Sequence, residues 1–81
     1  MLTTEPFKTP AYLMWFDDHP KHSLAQKVAE AAQRYLERFG VTPNTALVHP
    51  LDLPPSVADI PQAVRVTATV GRHTLWVGVE S

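Results

Sequence analysis

The chain of 81 residues has no cysteine, three glycines and no long hydrophobic run. Without cysteine it can form no disulfide, no thiolate metal site and no cysteine nucleophile. The longest apolar run, Ala11 to Phe16, is far shorter than the roughly 20 residues that a membrane-spanning helix needs. The first residues also contain no apolar signal core. We therefore expect a cytoplasmic protein that does not associate with membranes.

The chain also lacks an excess of charge of one sign, because it has seven Lys and Arg residues and eight Asp and Glu residues. Proteins that bind nucleic acids usually carry a basic stripe, so this balance disfavours such a function. A nucleic-acid accessory protein that uses Lys21, Arg65 and Arg72 remains an alternative. The hydrophobic content of 44% is typical of a folded chain.

Proline, in contrast, is abundant, with eight residues, none of which interrupts a predicted helix or strand. The prolines divide the chain into an extended N-terminal arm (1–10), a folded segment, a proline-rich connection (49–62) and a C-terminal segment. We predict that residues 1–81 form a single domain. A domain of this size buries only about 60–65% of the surface that its unfolded chain exposes.

The first half of the chain has the pattern of a strand followed by a helix. Ala11–Phe16 is apolar on both alternating sets of side chains, which is typical of a central strand covered on both faces. An amphipathic helix is predicted from Ser23 to Phe39. Ser23 and Gln26 fit the capping box that begins helices, and Gly40 is placed to end this one.

The second half predicts three strands. Thr45–Val48 is expected to lie parallel to the first strand, because one helix connects the two. Alternating apolar residues in Val64–Val70 and His73–Val79 predict an antiparallel hairpin around Gly71 and Arg72. The fold class is therefore a small α/β (α+β) domain with the order β-α-β-β-β. One amphipathic helix packs on a roughly four-stranded mixed sheet that ends in this hairpin.

One helix cannot cover both faces of such a sheet, so we expect a partner surface. The hairpin register places Trp76 on a polar face, where its neighbours are Thr67, Arg65 and Thr74. An exposed tryptophan is a typical interface anchor, and a symmetric homodimer is the commonest assembly. Alternatively, the N-terminal arm or the proline-rich connection covers this indole, or the helix packs on this face.

The turn between the first strand and the helix concentrates titratable side chains. Imidazole and carboxylate groups are ligands for divalent metals, and His49 and Asp52 follow a parallel strand to the same edge of the sheet. The candidate metal or acid–base residues are Asp17, Asp18, His19, His22 and His49. Alternatively, the turn is an ordinary solvated one whose acids interact with the helix N-terminus.

We thus expect a non-enzymatic interaction module that associates with itself, as a dimer, or with another protein through its sheet, and that needs no cofactor. The alternative is a small metal-dependent or acid–base enzyme that uses the turn at Asp17 to His22. The sequence assigns no catalytic residue.

Overall fold

The computed structural model describes residues 12–80, which form one helix and a four-stranded mixed sheet. The order β-α-β-β-β confirms the predicted fold class of one helix packed on this sheet in a single small domain. The elements are β1 (Tyr12–Phe16), α1 (Leu24–Phe39), β2 (Thr45–Val48), a short 3-10 helix (Pro50–Asp52), β3 (Ala63–Val66) and β4 (Thr74–Gly78). The predicted arm, residues 1–10, lies outside the described residues, as does Ala11 at the start of the predicted first strand.

Helix α1 begins and ends where its capping residues predict. The Ser23 hydroxyl accepts from the Gln26 N–H, and the Gln26 side chain accepts from the Ser23 N–H, so two otherwise free backbone donors are satisfied. At the other end, Gly40 adopts φ 78° and its N–H donates to the Leu36 carbonyl. Glycine takes this left-handed conformation without a steric penalty.

The strands lie in the order β1-β4-β2-β3. Strand β4 pairs antiparallel with both β1 and β2, whereas β3 pairs parallel with β2. Strands β1 and β2 therefore run in the same direction, as expected from the helix that connects them, but β4 lies between them. Consequently, the carboxyl ends of β1 and β2 lie at the same edge of the sheet.

The predicted C-terminal hairpin is wrong. Strands β3 and β4 do not pair with each other but flank β2 on opposite sides. The segment between them leaves β3 at Thr67, whose N–H donates to the Val48 carbonyl, and it buries Val70 almost completely. Val70 is therefore buried instead of pairing with His73, and the chain crosses the end of β2 to reach β4.

The predicted central position of the first strand is also wrong, because β1 is an edge strand of the sheet that residues 12–80 form. The apolar side chains of β1 point alternately to the two faces of the sheet, and the two faces differ in exposure. Leu13 and Trp15 pack against the core on the side of α1, whereas Met14 is 64% exposed and Phe16 is 63% exposed.

The core lies between α1 and one face of the sheet, which we call the helix face. Val28, Ala31 and Tyr35 of α1 are buried there. Their partners are Leu75 and Val77 of β4, Ala46 of β2, and Ile60 of the connection between β2 and β3. Each strand residue alternates with one that points to the opposite face, and no helix covers that face within residues 12–80.

Candidate functional site

The uncovered face of the sheet, which we call the open face, presents an apolar row. The strand registers place Met14, Trp76 and Leu47 side by side on β1, β4 and β2, and Arg65 of β3 ends the row. Phe16 lies beside this row on β1. Two large apolar side chains, those of Met14 and Phe16, are therefore mostly exposed next to a partly buried tryptophan.

A polar cluster covers the other end of the open face. The Glu80 carboxylate accepts from the Tyr12 hydroxyl and forms an ion pair with Arg65, so it bridges the two edge strands. The Tyr12 and Trp76 rings are in contact at 6.4 Å between centroids. Burial, followed by the bond to Glu80, raises the pKa of Tyr12 to about 12. The open face thus has two parts. In the polar part the side chains are bonded to one another, and the other part is apolar.

The residues predicted for an interface only partly share this face. Trp76, Thr74 and Arg65 lie on it, although Leu47 separates Trp76 from Arg65. The predicted direct pairing of Trp76 with Thr67 does not occur, because Thr67 lies beyond the end of β3 on the far side of β2. Sequence reasoning missed Met14 and Phe16, since it assigned β1 to the centre of the sheet.

A cavity of about 290 Å³ lies at the carboxyl ends of β1 and β2. Val48, Leu75 and Pro54 give it an apolar lining. Polar groups from the turn before α1, from α1 itself, from the 3-10 helix and from the start of β4 also line it. These polar residues are Asp18, His19, His22, Lys27, Asp52, His73 and Thr74. The volume is at the lower end of the range for small-molecule sites.

Asp17 organises the turn beside this cavity. Its Oδ1 accepts from the His19 N–H at 2.9 Å, and its Oδ2 lies 2.7 Å from His22 Nδ1. The bond from His22, followed by that from the His19 backbone, lowers the pKa of the Asp17 carboxyl against the opposing effect of burial. If Nδ1 donates to Asp17, the His22 Nε2 lone pair is available to a ligand or a proton. The ring of His19 stacks on that of His22 at 4.2 Å between centroids.

Asp52 fixes the opposite wall of the cavity. Its carboxylate accepts from Arg72 Nε and from the His73 N–H, both at 2.7 Å. Burial acts to raise the pKa of Asp52, but these two hydrogen bonds outweigh it and lower the pKa. His73 adopts φ 60°, a left-handed conformation that is uncommon for residues other than glycine, and Asp52 holds its backbone in place.

The predicted metal-ligating residues do not all come together. Within residues 12–80, the group whose ligand atoms lie within 4.8 Å of one another is Asp17, His22 and Glu30. Asp18, His19 and His49 are not part of it. His49 accepts from the Leu51 N–H at 3.0 Å and caps the 3-10 helix. Glu30 was missed because its position on the polar face of α1 gave no sign of proximity to the turn.

The basic residues considered for nucleic acid are largely engaged within the chain. Arg65 is paired with Glu80, and Arg72 is paired with Asp52. Both guanidinium groups therefore have their charge balanced by a neighbouring carboxylate.

Comparison with known proteins identifies no relative of this chain. No protein-family model, no curated protein and no solved structure matches this chain. Within the described residues, α1 is too short and too polar to cross a bilayer.

Proposed function

We propose that this protein is a non-enzymatic interaction module that associates with a second copy of itself through its sheet. The observation that carries the proposal is the apolar half of the open face. Met14 and Phe16 are 64% and 63% exposed beside Trp76. Contiguous exposed apolar side chains of this kind mark interaction surfaces in soluble proteins.

The charge distribution supports a second copy as the partner. The polar end of the open face has Arg65 and Tyr12 already bonded to Glu80, so that end demands no complementary charge from a partner. The formal net charge of the chain is −1, so two copies repel each other only weakly. A symmetric dimer also needs no other gene product, and it is the commonest form of soluble oligomer.

Sedimentation velocity tests this proposal on the full chain from about 5 to about 500 µM, a range suited to a small interface. We expect the wild-type protein to shift from monomer to dimer within it. Met14→Lys places a charge on the open face and should raise the dimer dissociation constant at least about tenfold, equivalent to roughly 1.4 kcal/mol. Leu51→Lys is the matched control, because Leu51 is 71% exposed on the 3-10 helix. A wild-type protein that stays monomeric throughout contradicts the proposal, as does equal weakening by both substitutions.

The cavity supports a second candidate function, that of a small acid–base or metal-dependent enzyme. His22 is oriented by Asp17 and lines the cavity, as a general base or a metal ligand is held in many enzymes. The charge of Lys27 acts on Asp17 and opposes binding of a cation there, so we rank this function second.

Calorimetric titration with Zn²⁺ alone tests the metal-dependent form of the second candidate. His22→Gln should abolish saturable binding, whereas His49→Gln should not affect it, because His49 lies outside the group of Asp17, His22 and Glu30. Binding that is equal in the two variants, or absent from the wild-type protein, excludes this metal site.

A further inference from the structure

The outer edge of β1 lacks the features that normally protect an edge strand. Within residues 12–80, no strand pairs with this edge. The strand sequence Tyr-Leu-Met-Trp-Phe has neither a charge nor a proline, which are two of the devices by which natural sheets block strand addition. The opposite edge, β3, contains Arg65 and begins two residues after Pro61. The two edges of the sheet therefore differ in their readiness to accept another strand.

The backbone direction of β1 shows which groups face outward. The Asp17 N–H, one residue beyond β1, donates to the His73 carbonyl at 2.9 Å. In an antiparallel ladder, alternate residues bond to the same neighbour, so Leu13 and Trp15 also direct their N–H and C=O groups toward β4. Tyr12, Met14 and Phe16 then direct theirs away from the sheet. These three residues offer a regular set of donors and acceptors to an added strand.

A groove runs between this edge and α1. Its volume is about 420 Å³, and its lining residues are Leu13, Met14, Trp15, Arg34, Glu37 and Arg38. The indole N–H of Trp15 is buried and has no hydrogen-bond acceptor among the described residues. A buried donor without an acceptor destabilises a fold, and Trp15 is one of the residues that line this groove.

The side of α1 next to the groove is neutral overall. Glu30 and Glu37 alternate with Arg34 and Arg38 on the helix surface near Trp15 and Met14. When two such helices approach in opposite directions, each copy offers both signs of charge to the other. This pattern favours a second copy over a strongly charged partner.

We propose, on the basis of the self-association inferred above, that β1 pairs antiparallel with β1 of a second copy, with the two-fold axis at Met14. In this register Met14 lies opposite Met14 of the second copy, Leu13 opposite Trp15, and Tyr12 opposite Phe16. Every facing pair is apolar or aromatic, the combinations that stabilise antiparallel strands. The outward backbone groups of Tyr12, Met14 and Phe16 all find partners. The two four-stranded sheets thereby form one continuous sheet of eight strands.

The absence of cysteine from the chain makes the register directly testable by disulfide formation. In the proposed pair, the two Met14 Cα atoms lie about 5.5 Å apart, within the range that a disulfide spans. The two Phe16 residues are displaced by about 14 Å along the strands and cannot be joined. Met14→Cys and Phe16→Cys form a matched pair of variants, because both positions lie on β1 with nearly equal exposure.

Mild oxidation of the full-length variants is expected to give a disulfide-linked dimer at least about tenfold faster for Met14→Cys than for Phe16→Cys. Circular dichroism establishes that each variant is folded. An independent measurement on the wild-type protein is amide hydrogen exchange at two concentrations. Exchange at Met14 and Phe16 should slow as the concentration rises, whereas exchange in β3 should not change.

The outcomes separate this inference from the proposed function. If the wild-type protein dimerises but Phe16→Cys cross-links as fast as Met14→Cys, or β1 exchange does not depend on concentration, self-association stands and the pairing of β1 strands is wrong. If the wild-type protein remains a monomer, both proposals fail.

Discussion

Asn44 binds the backbone of Glu80 through two hydrogen bonds. Its Nδ2 donates to the Glu80 carbonyl at 2.7 Å, and its Oδ1 accepts from the Glu80 N–H at 2.8 Å. The side-chain amide thus imitates a strand partner beyond the end of β4. This position also holds the Glu80 carboxylate between Tyr12 and Arg65, so Asn44 indirectly connects the two edges of the sheet.

Asn44→Ala removes both of these hydrogen bonds. We expect the free energy of unfolding to fall by about 1–2 kcal/mol, the usual value for two partly exposed hydrogen bonds. Gln33→Ala is the control, because the side chain of Gln33 is exposed and donates to Glu37 within the helix. Urea unfolding of both variants gives the comparison. Equal free energies of unfolding for the two variants would show that the hydrogen bonds from Asn44 to Glu80 do not stabilise the fold.

Asp52→Asn should destabilise the protein in a pH-dependent manner. Because the pKa of Asp52 in the folded protein lies below its ordinary value of 3.8, the carboxylate stabilises the fold above about pH 4. That contribution is lost as the pH falls through the folded-state pKa. We expect a loss of about 1–2 kcal/mol at pH 7 from the weaker bonds to Arg72 and His73.

Unfolding free energies of the wild type and Asp52→Asn, measured from pH 7 down to pH 2, test this linkage. The difference between them should shrink below pH 4. Asp59→Asn serves as the control, because Asp59 is exposed and has no ion pair within residues 12–80. A difference between wild type and Asp52→Asn that stays constant across this range contradicts the assigned role of the charge.

The phenol of Tyr12 should ionise late in an alkaline titration. Burial, and then the bond to Glu80, raise the pKa of Tyr12 from 10.0 to about 12. Since the raised pKa favours the neutral form in the folded state, the stabilisation is present below pH 10 and is lost as the pH rises toward 12. Ultraviolet absorbance of tyrosinate measures the transition, and Tyr12→Phe assigns it. In Glu80→Gln the transition should move to lower pH, and an unchanged transition there would rule out the contribution of the carboxylate.

Gly40 and Gly71 should respond differently to the same substitution. Gly40→Ala places a Cβ on a residue with φ 78°, so we expect a loss of about 1 kcal/mol. At Gly71 the backbone does not have positive φ, and a new Cβ would meet Thr74 Oγ1 at an ordinary 3.7 Å. Gly71→Ala should therefore change the stability by less than about 0.5 kcal/mol. Thermal unfolding measures the stability of both variants. Equal losses of stability would contradict the different roles of the two glycines.

The helix was predictable because its signals are local. The capping box of Ser23 and Gln26 and the terminating Gly40 depend only on residues within one turn of each other. The convergence of Asp18, His22 and Asp52 on one cavity was also foreseeable, since strands β1 and β2 run in the same direction. The alternation of apolar and polar residues also predicted the strands. It did not predict which strands pair with each other.

Strand partners could not be read from alternation because any two alternating segments can be matched. Val64 and Val66 face Ala46 and Val48 of β2 as favourably as they would face residues of β4. The pairing that forms joins β4 to both β1 and β2, and these contacts between segments far apart in the chain are not encoded in a local pattern. The apolar composition of β1 was likewise read as central burial, whereas it reflects one buried face and one exposed face at an edge.

The position of β4 determines when this sheet can assemble. It is the last of the described strands in chain order, yet it is the one that lies between β1 and β2. Before it is available, the backbone of β1 has no neighbour in the described sheet, and α1 lacks the leucine and valine of β4 that fill its core. During synthesis, the 73 residues that precede β4 therefore remain with apolar strands exposed until β4 is made. Folding then depends on contacts between residues far apart in sequence, a feature associated with slow folding.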